Sequence, residues 1–540
     1  MLTPSAPAPE DYYQNNCCHL FGYVLGRYET LLSAAESQQL RTYLGLGNDA
    51  QRLLARLLTR KGPIFRLDKL DYREIADLPA AAAELNNAEM LALQPLHPGD
   101  LYLGLLRKDE LVQLLKEREI EAKGISSWKK NELTAWFLGR YTDEQLRCLS
   151  SSVSKVVGLQ NAYVWDLAKL LFFGETHSDW STFVLNDLGL VQYEAVTALT
   201  NQYSDRQTLE QDLEMRRISR MSHMLDDFPE LESVLTLKLL SASGDRFFMR
   251  RRDRTLMRIA GHLESNNKIS RACEIYQHVE RHPARERTVR LLTRQGHKAA
   301  ANQLLETART QPYSEEEAQF CERFGQRNKG FQPETFEVTI DAVSPNTRIE
   351  EQALKYLAAA GGMSFGIHAE NTFIRSMTGI IYWSALFAGL PGAFTNPYQA
   401  GPNDLYLDDF YSVRESTILA LEADLADDQA MRGHIEHILT EKYLVANSLV
   451  SWSLFEHVSV EKLFTHIPIG DIRRLAAFLI RRLAQFRTGQ PDLLVFHEEG
   501  GYELIEVKGP GDQLQPTQRL WFKHFAEMAI PARVMKIKKA

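Results

Sequence analysis

Pro491-Asp492-Leu493-Leu494-Val495-Phe496, then His497-Glu498-Glu499-Gly500-Gly501, then Tyr502-Glu503-Leu504-Ile505-Glu506-Val507-Lys508-Gly509-Pro510 is the stretch that decides the fold of the C-terminal part. Its two short apolar runs predict strands, and the Gly-containing five-residue segment between them predicts a hairpin. Charged residues stand in the strands where a purely structural sheet would carry neutral ones. With the loop centred on Glu499, Asp492 falls opposite Glu506. Opposed residues on antiparallel strands share a face and lie about 5 Å apart. A strand period of two then puts Lys508 on the face of Glu506. Two carboxylates and one ammonium converge on one spot.

Around this hairpin the chain is long. Its 540 residues exceed one core and imply several domains. The net charge is −8 and the pI about 6.1, which exclude a basic nucleic-acid coat, so any anionic partner must be held by local basic patches. The five cysteines are Cys17, Cys18, Cys148, Cys273 and Cys321, an odd number without a C-x-x-C pair. They argue for a reducing compartment and against structural zinc or a disulfide framework. The first ten residues lack a basic start and an apolar core, so they read as a disordered leader and not a signal peptide. The longest apolar run, Ile380 to Leu390, is too short to span a bilayer. These readings predict a soluble cytoplasmic protein with no membrane partner, nucleoid-associated in a bacterium and nuclear in a eukaryote.

In chain order, residues 1–100 read as a helical N-terminal domain without chemistry. Residues 101–142 change character. An amphipathic helix around Leu106–Lys116 is followed by a loop with Gly124 and a second helix from Lys129 to Phe137. Lys123, Lys129 and Lys130 cluster where helix N–H groups also favour phosphate. Residues 143–330 read as helical, with Trp180, Tyr193 and Tyr203 in the core. Within them Arg250, Arg254 and Arg258 stand at i, i+4 and i+8, on one helix face that can grip phosphate through bidentate forks. That stripe has only Asp245 and Asp253 as acidic sequence neighbours. A weak repeat follows, in which Leu263 to Leu292 and Ala272 to Ala301 are each 29 apart, suggesting TPR-like helix pairs. A polar boundary at about 326–344 contains a strand, Thr335 to Ile340, and the final domain runs over 331–540.

In that domain Gly366-Ile367-His368-Ala369-Glu370-Asn371 opens an apolar helix, with Glu370 near its first turn. Alone, such a carboxylate is a helix-dipole complement; beside the Asp492/Glu506 hairpin it becomes a third acidic group. His368 and His497 read as structural.

An Asp, a Glu and a Lys two positions after the Glu form the pattern of the PD-(D/E)XK nucleases. Glu370 and its helix, Gln399-Ala-Gly-Pro-Asn-Asp404-Leu, Val450-Ser451-Trp452, Pro491-Asp492-Leu493, Glu506-Val507-Lys508-Gly509-Pro510 and Gln518-Arg519-Leu520-Trp521 resemble a VRR-NUC domain. The 101–142 segment resembles a SAP module. The whole order is similar to the Fanconi-associated nucleases, in a short form without the N-terminal zinc finger. The resemblance implies a mostly α chain with a C-terminal α/β domain: helical N-terminal region, SAP-like module, TPR-like region, and a nuclease core with a mixed sheet flanked by helices. It implies a hydrolase cutting phosphodiesters in branched DNA, a 5′-flap endonuclease and 5′-to-3′ exonuclease (phosphodiesterase I type), in DNA repair including interstrand-crosslink repair. Implied metal ligands for Mg²⁺ or Mn²⁺ are Glu370, Asp492, Glu506 and the Val507 carbonyl, with Lys508 and Gln518 completing the catalytic set. It also implies a pocket for a 5′ phosphate, for which Arg254, Arg258 and Arg487 are the candidates. Where eukaryotic relatives place a lysine before the Gln of the last helix, this chain has Thr517.

Two alternatives stand beside this reading. One is a noncatalytic DNA-junction scaffold, against which the full set Glu370, Asp492, Glu506 and Lys508 weighs. The other is a dimeric junction-resolving or restriction-type nuclease of the same superfamily. No recognition helix for base readout stands out, and a chain with its own DNA-binding modules has no need of dimer symmetry. The expected form is a monomer in solution.

Overall fold

A computed structural model describes residues 12–93, 95–117, 127–174, 191–196, 199–325, 331–340 and 347–539. Lys123, Gly124, Trp180 and part of the expected 326–344 boundary lie outside the described residues. The chain divides into two compact units, residues 1–192 and 193–540.

In the first unit, helices Tyr12–Tyr28, Ala34–Leu44, Asn48–Leu58 and Ala162–Phe173 enclose a core that includes Phe21, Tyr43 and Trp165. A small antiparallel sheet joins them: β1 (Ile64–Arg66), β2 (Leu91–Ala92) and β3 (Val156–Leu159), in the order β1-β3-β2. The sequence reading held only helices here, because strands this short have no room for a visible alternation. The sheet needs a glycine at 158, since a Cβ there would lie 2.6 Å from Pro95 Cβ. Buried Arg66 ties β1 to helix Lys108–Lys116 through Glu110 at 2.5 Å. That helix and helix Lys130–Leu138 fall within two residues of expectation, and they share a core of Leu111, Leu114, Leu115, Leu133 and Phe137, with Trp128 packed against it.

In the second unit, helices Arg206–Met221 and Leu231–Leu240 precede a series of helices in consecutive hairpins. Arg246–Ser265 packs on Ile269–Tyr276, and Ala284–Arg294 on Lys298–Thr310, followed by Glu315–Arg323. Leu263, Ala272 and Ala301 of the weak repeat are buried at the crossings. The rest is a five-stranded mixed sheet, order β4-β8-β7-β6-β5, built from β4 (Thr335–Ile340), β5 (Met363–His368), β6 (Leu493–His497), β7 (Tyr502–Lys508) and β8 (Ala532–Lys539). β4 and β7 run parallel to β8, whereas β5, β6 and β7 form antiparallel pairs. Alternation divides the sheet into two cores. Leu494, Phe496, Tyr502 and Leu504 join the large core with helices Phe373–Ile381, Ile469–Arg481 and Pro516–Glu527. Leu493, Val495, Ile505 and Val507 face helix Ile349–Ala360.

One expectation is corrected. Residues 366–368 are strand, not helix, because their backbone pairs with Val495, Leu494 and Leu493 of β6. The helix begins at Phe373, after a turn in which Asn371 takes a positive φ of 51°. Among the described residues no helix is long and apolar enough to cross a membrane.

Candidate active site

The register of the hairpin is the one its loop length predicts. Phe496 pairs with Tyr502 and Leu493 with Ile505, so the next pair outward is Asp492 with Glu506. Both carboxylates continue the face whose inner positions are filled by Leu494 and Leu504, so they are buried at the rim of the large core. The fold thus places charge where packing has excluded water.

Each group is held by a specific partner. Asp492 Oδ2 accepts the Val507 N–H at 2.8 Å, and the Asp492 carbonyl accepts the Ala369 N–H at 2.7 Å, anchoring the turn that carries Glu370. Glu506 Oε1 takes Lys508 Nζ at 2.8 Å and Gln518 Nε2 at 2.5 Å. The amide of Gln518 is fixed from its other end, where its oxygen accepts the Gln515 N–H at 3.0 Å, so its NH₂ must point at Glu506. Glu506 Oε2 is buried without a partner among the described residues. Burial pushes Glu506 up to about 8, and the Asp492 charge adds to it. Burial likewise pushes Asp492 up to about 6, offset in part by the Val507 N–H and reinforced by Glu370.

Glu370 is half-exposed in the turn between β5 and helix Phe373–Ile381, three residues before that helix and not in its first turn. His368, Glu370 and Asp492 present ligand atoms all within 4.8 Å of one another. His368, which reads from sequence as structural, has a side chain 44% exposed, with Nε2 4.0 Å from Glu370 Oε2. Its nearness to the acidic cluster follows from the strand that carries it, where the sequence reads as helix. A possible acidic metal site is present. The bare Glu506 oxygen and the raised carboxylates fit a hard divalent cation, which would satisfy the one and favour the ionised form of the others.

The basic candidates distribute unevenly. Arg250, on helix Arg246–Ser265, donates to the Tyr406 carbonyl, and Arg487 lies 4.9 Å over the Tyr406 ring. Arg250 and Arg254 both have their pKa values lowered, first by burial and then by neighbouring cations that include Arg281 and Arg487. Arg258 departs from this group: it bonds Ser222 Oγ at 2.8 Å and the Ser219 carbonyl, and serves helix packing. Arg281, which the sequence reading missed, enters the group from a loop. The stripe is also less free of acids than its sequence neighbours suggested. Arg246 pairs with Asp404 at 3.0 Å and Asp409 at 2.6 Å, and Arg281 with Asp408 at 2.7 Å. A cavity of about 270 Å³ lies here, with Arg250, Arg281, Asp408 and Asp409 in its wall. In the other unit, Lys129 is exposed at a helix start, whereas Lys130 Nζ is tied to the Gly104 carbonyl at 2.9 Å.

Comparison with known proteins extends this geometry. Residues 427–539 match the VRR-NUC domain model and residues 11–92 the model described as FAN1, HTH domain. A Fanconi-associated nuclease 1 homolog of Pseudomonas aeruginosa is 28% identical across 99% of this chain and 97% of its own. A crystal structure of paFAN1 bound to 2-nucleotide 5′-flap DNA with a gap superposes with a TM-score of 0.88 at 27% identity, covering 99% of both chains. The chain belongs to the Fanconi-associated nuclease family. It is a structure-specific DNA nuclease, a hydrolase. A rice homolog of the same family is 25% identical over 99% of this chain, which spans 63% of that protein. The VRR-NUC match takes in Asp492, Glu506, Lys508 and Gln518 and begins after Glu370, which only the fold brings to them. The match at 11–92 falls where the sequence was read as plain scaffold, with no charge pattern to mark it.

Proposed function

We propose that this chain uses Mg²⁺ or Mn²⁺ to cut 5′-flap and other branched DNA, trims DNA 5′-to-3′ as an exonuclease, and serves DNA repair including interstrand-crosslink repair. The observation that carries the metal-dependent reading is the buried Asp492–Glu506–Lys508 group with one Glu506 oxygen bare. The named DNA in the paFAN1 structure supports the flap substrate.

Glu370, Asp492, Glu506 and the Val507 carbonyl are the proposed metal ligands, with His368 in reach of the same position. A divalent cation there supplies an activated water and neutralises charge at the scissile phosphate. The protein's own groups do the rest. Gln518 and Lys508 pin Glu506 Oε1, leaving Oε2 as the free donor. Lys508 stands at the site to orient the attacking water and to stabilise charge growing on the phosphate. Arg254, with Arg281 and Arg487, is proposed to seat a 5′ phosphate, and Arg250 to hold the segment beneath it. The protein is read as a monomer acting at the nucleoid in a bacterium or in the nucleus of a eukaryote.

The test incubates labelled 5′-flap, Holliday-junction and plain duplex DNA with Mn²⁺. Wild type should cut the flap preferentially. Asp492→Ala should lower cutting by about 10²–10³-fold or more, the scale of weakening one group that stabilises transition-state charge, here the cation Asp492 would hold. A wild type that cuts nothing, or a mutant that cuts equally well, rejects the reading.

A further inference from the structure

Away from the carboxylates, a cavity of about 320 Å³ opens between helix Glu315–Arg323 and the last helix, Pro516–Glu527. Its wall contains Arg323, Arg519, Lys523 and Phe331. Arg519 and Lys523 are four residues apart on the last helix and so share a face. Arg323 comes from the end of the other helix and opposes Arg519 closely enough for its charge, after burial, to lower the Arg519 pKa. Among the described residues the side chains of all three cations lack a carboxylate or hydrogen-bond partner. This contrasts with other arginines on or against the same elements: Arg285 pairs with Glu317, and Arg482 with Glu315. The acidic groups in the wall do not cancel the three. Glu315 is taken by Arg482 at 3.0 Å and His524 at 2.5 Å, and Glu322 is exposed. Like charges are gathered and left open, at a cost that an anion would remove.

Two further features narrow the anion. Phe331 presents an aromatic ring that is 38% exposed. The last helix also reaches the active site through Gln518, and Lys523 stands five residues on. That is about 7.5 Å along the axis at 1.5 Å per residue and about 140° round it at 3.6 residues per turn, so the cavity opens on another face of the helix that carries Gln518. Phosphate-binding cations beside an exposed aromatic ring are the features that hold unpaired nucleic acid, whereas the bases of a duplex are stacked inward and cannot reach such a ring.

We propose that this cavity seats one nucleotide of unpaired DNA next to the cleavage site, with its phosphate on Arg323, Arg519 and Lys523 and its base on Phe331. The proposal rests on the nuclease reading and adds a place for the unpaired strand distinct from the Arg254 group.

Fluorescence anisotropy in EDTA, where cutting is off, tests it with three probes: a duplex with a short unpaired tail at a nick, the same with an abasic tail, and a blunt duplex. Phe331→Ala should weaken the tailed probe roughly tenfold and leave the blunt duplex unchanged. On wild type, the abasic tail should show the same loss. Arg323→Ala/Arg519→Ala should flatten the dependence of log K on log salt by about 1.4 for the tailed probe, two single-strand contacts at about 0.7 each. Arg323→Lys/Arg519→Lys should restore that slope, which a misfolded variant would not. Equal losses on blunt and tailed DNA assign the cations to duplex backbone and overturn the proposal, as does no loss on either. Wild type that cuts flaps while these variants bind normally sinks only this inference. Wild type that neither binds nor cuts sinks the nuclease reading with it.

Discussion

Glu506 is held through one oxygen by Lys508 and Gln518 and is bare at the other, in a place where burial keeps its proton on. A carboxyl raised from 4.5 to about 8 contributes stability that is whole below pH 4.5 and is lost as pH rises through 8. Asp492, raised to about 6, adds the same trend lower down. The metal-free protein should therefore lose on the order of a few kcal/mol between pH 5 and 9, read as a falling denaturant midpoint in chelator. Glu506→Gln should remove the slope above pH 6, and saturating Mn²⁺ should flatten it in wild type. A flat chelated profile, or one unchanged by Glu506→Gln, speaks against the bare-oxygen argument. His368 adds a second test. Imidazole favours transition metals over Mg²⁺, so His368→Ala should weaken Mn²⁺ more than Mg²⁺ by calorimetry; equal loss returns His368 to a bystander. The two hairpin carboxylates and the lysine were legible because strand period and loop length fix their face. The nearness of His368 to them was not, because it depends on Glu370 arriving from a turn.

The elements show the same division. The Asp492–Glu506 register could be read from the loop alone, and helices Lys108–Lys116 and Lys130–Leu138 from their apolar spacing. Strand β5 could not, since it runs through a short turn into the apolar helix Phe373–Ile381 and only its pairing with β6 sets it apart. Nor could the arginine helix be read whole, because its acidic partners lie far along the chain. Asp404 is fully buried and takes Arg414 on both oxygens at 2.9 Å as well as Arg246. It thereby joins helix Arg246–Ser265 to the loop below the site. Asp404→Ala leaves Arg414 buried and unpaired and should cost about 3–5 kcal/mol in denaturant unfolding. A loss below about 1 kcal/mol would show that the pair is relieved by water. Midway along the same helix, Arg254→Ala should weaken 5′-phosphorylated flaps more than 5′-hydroxyl flaps. Equal loss on both would remove Arg254 from the phosphate seat.

At the scale of the whole molecule, a net charge of −8 repels the polyanion that the nuclease must bind. Affinity then has to come from the few places where cations are gathered. In the second unit these are the group of Arg250, Arg254, Arg281 and Arg487, of which Arg250 and Arg281 line one cavity, and Arg323, Arg519 and Lys523 at the other. Arg281 is partly offset by Asp408, and Arg250 is committed to Tyr406. That leaves about five cations to displace counterions, and at 0.7 to 0.9 per contact the slope of log K against log salt should be about −3.5 to −4.5. Anisotropy of a flap substrate from about 50 to about 300 mM KCl in EDTA measures it. Removing Arg254 should lower the slope by about 0.9 or less, whereas charge reversal at an exposed acid of the same unit outside both clusters, such as Glu441, should leave it unchanged, because screening over about 10 Å limits each cluster to its neighbours. If the Glu441 change moved the slope as much as the Arg254 change, the total charge and not the local clusters would govern binding.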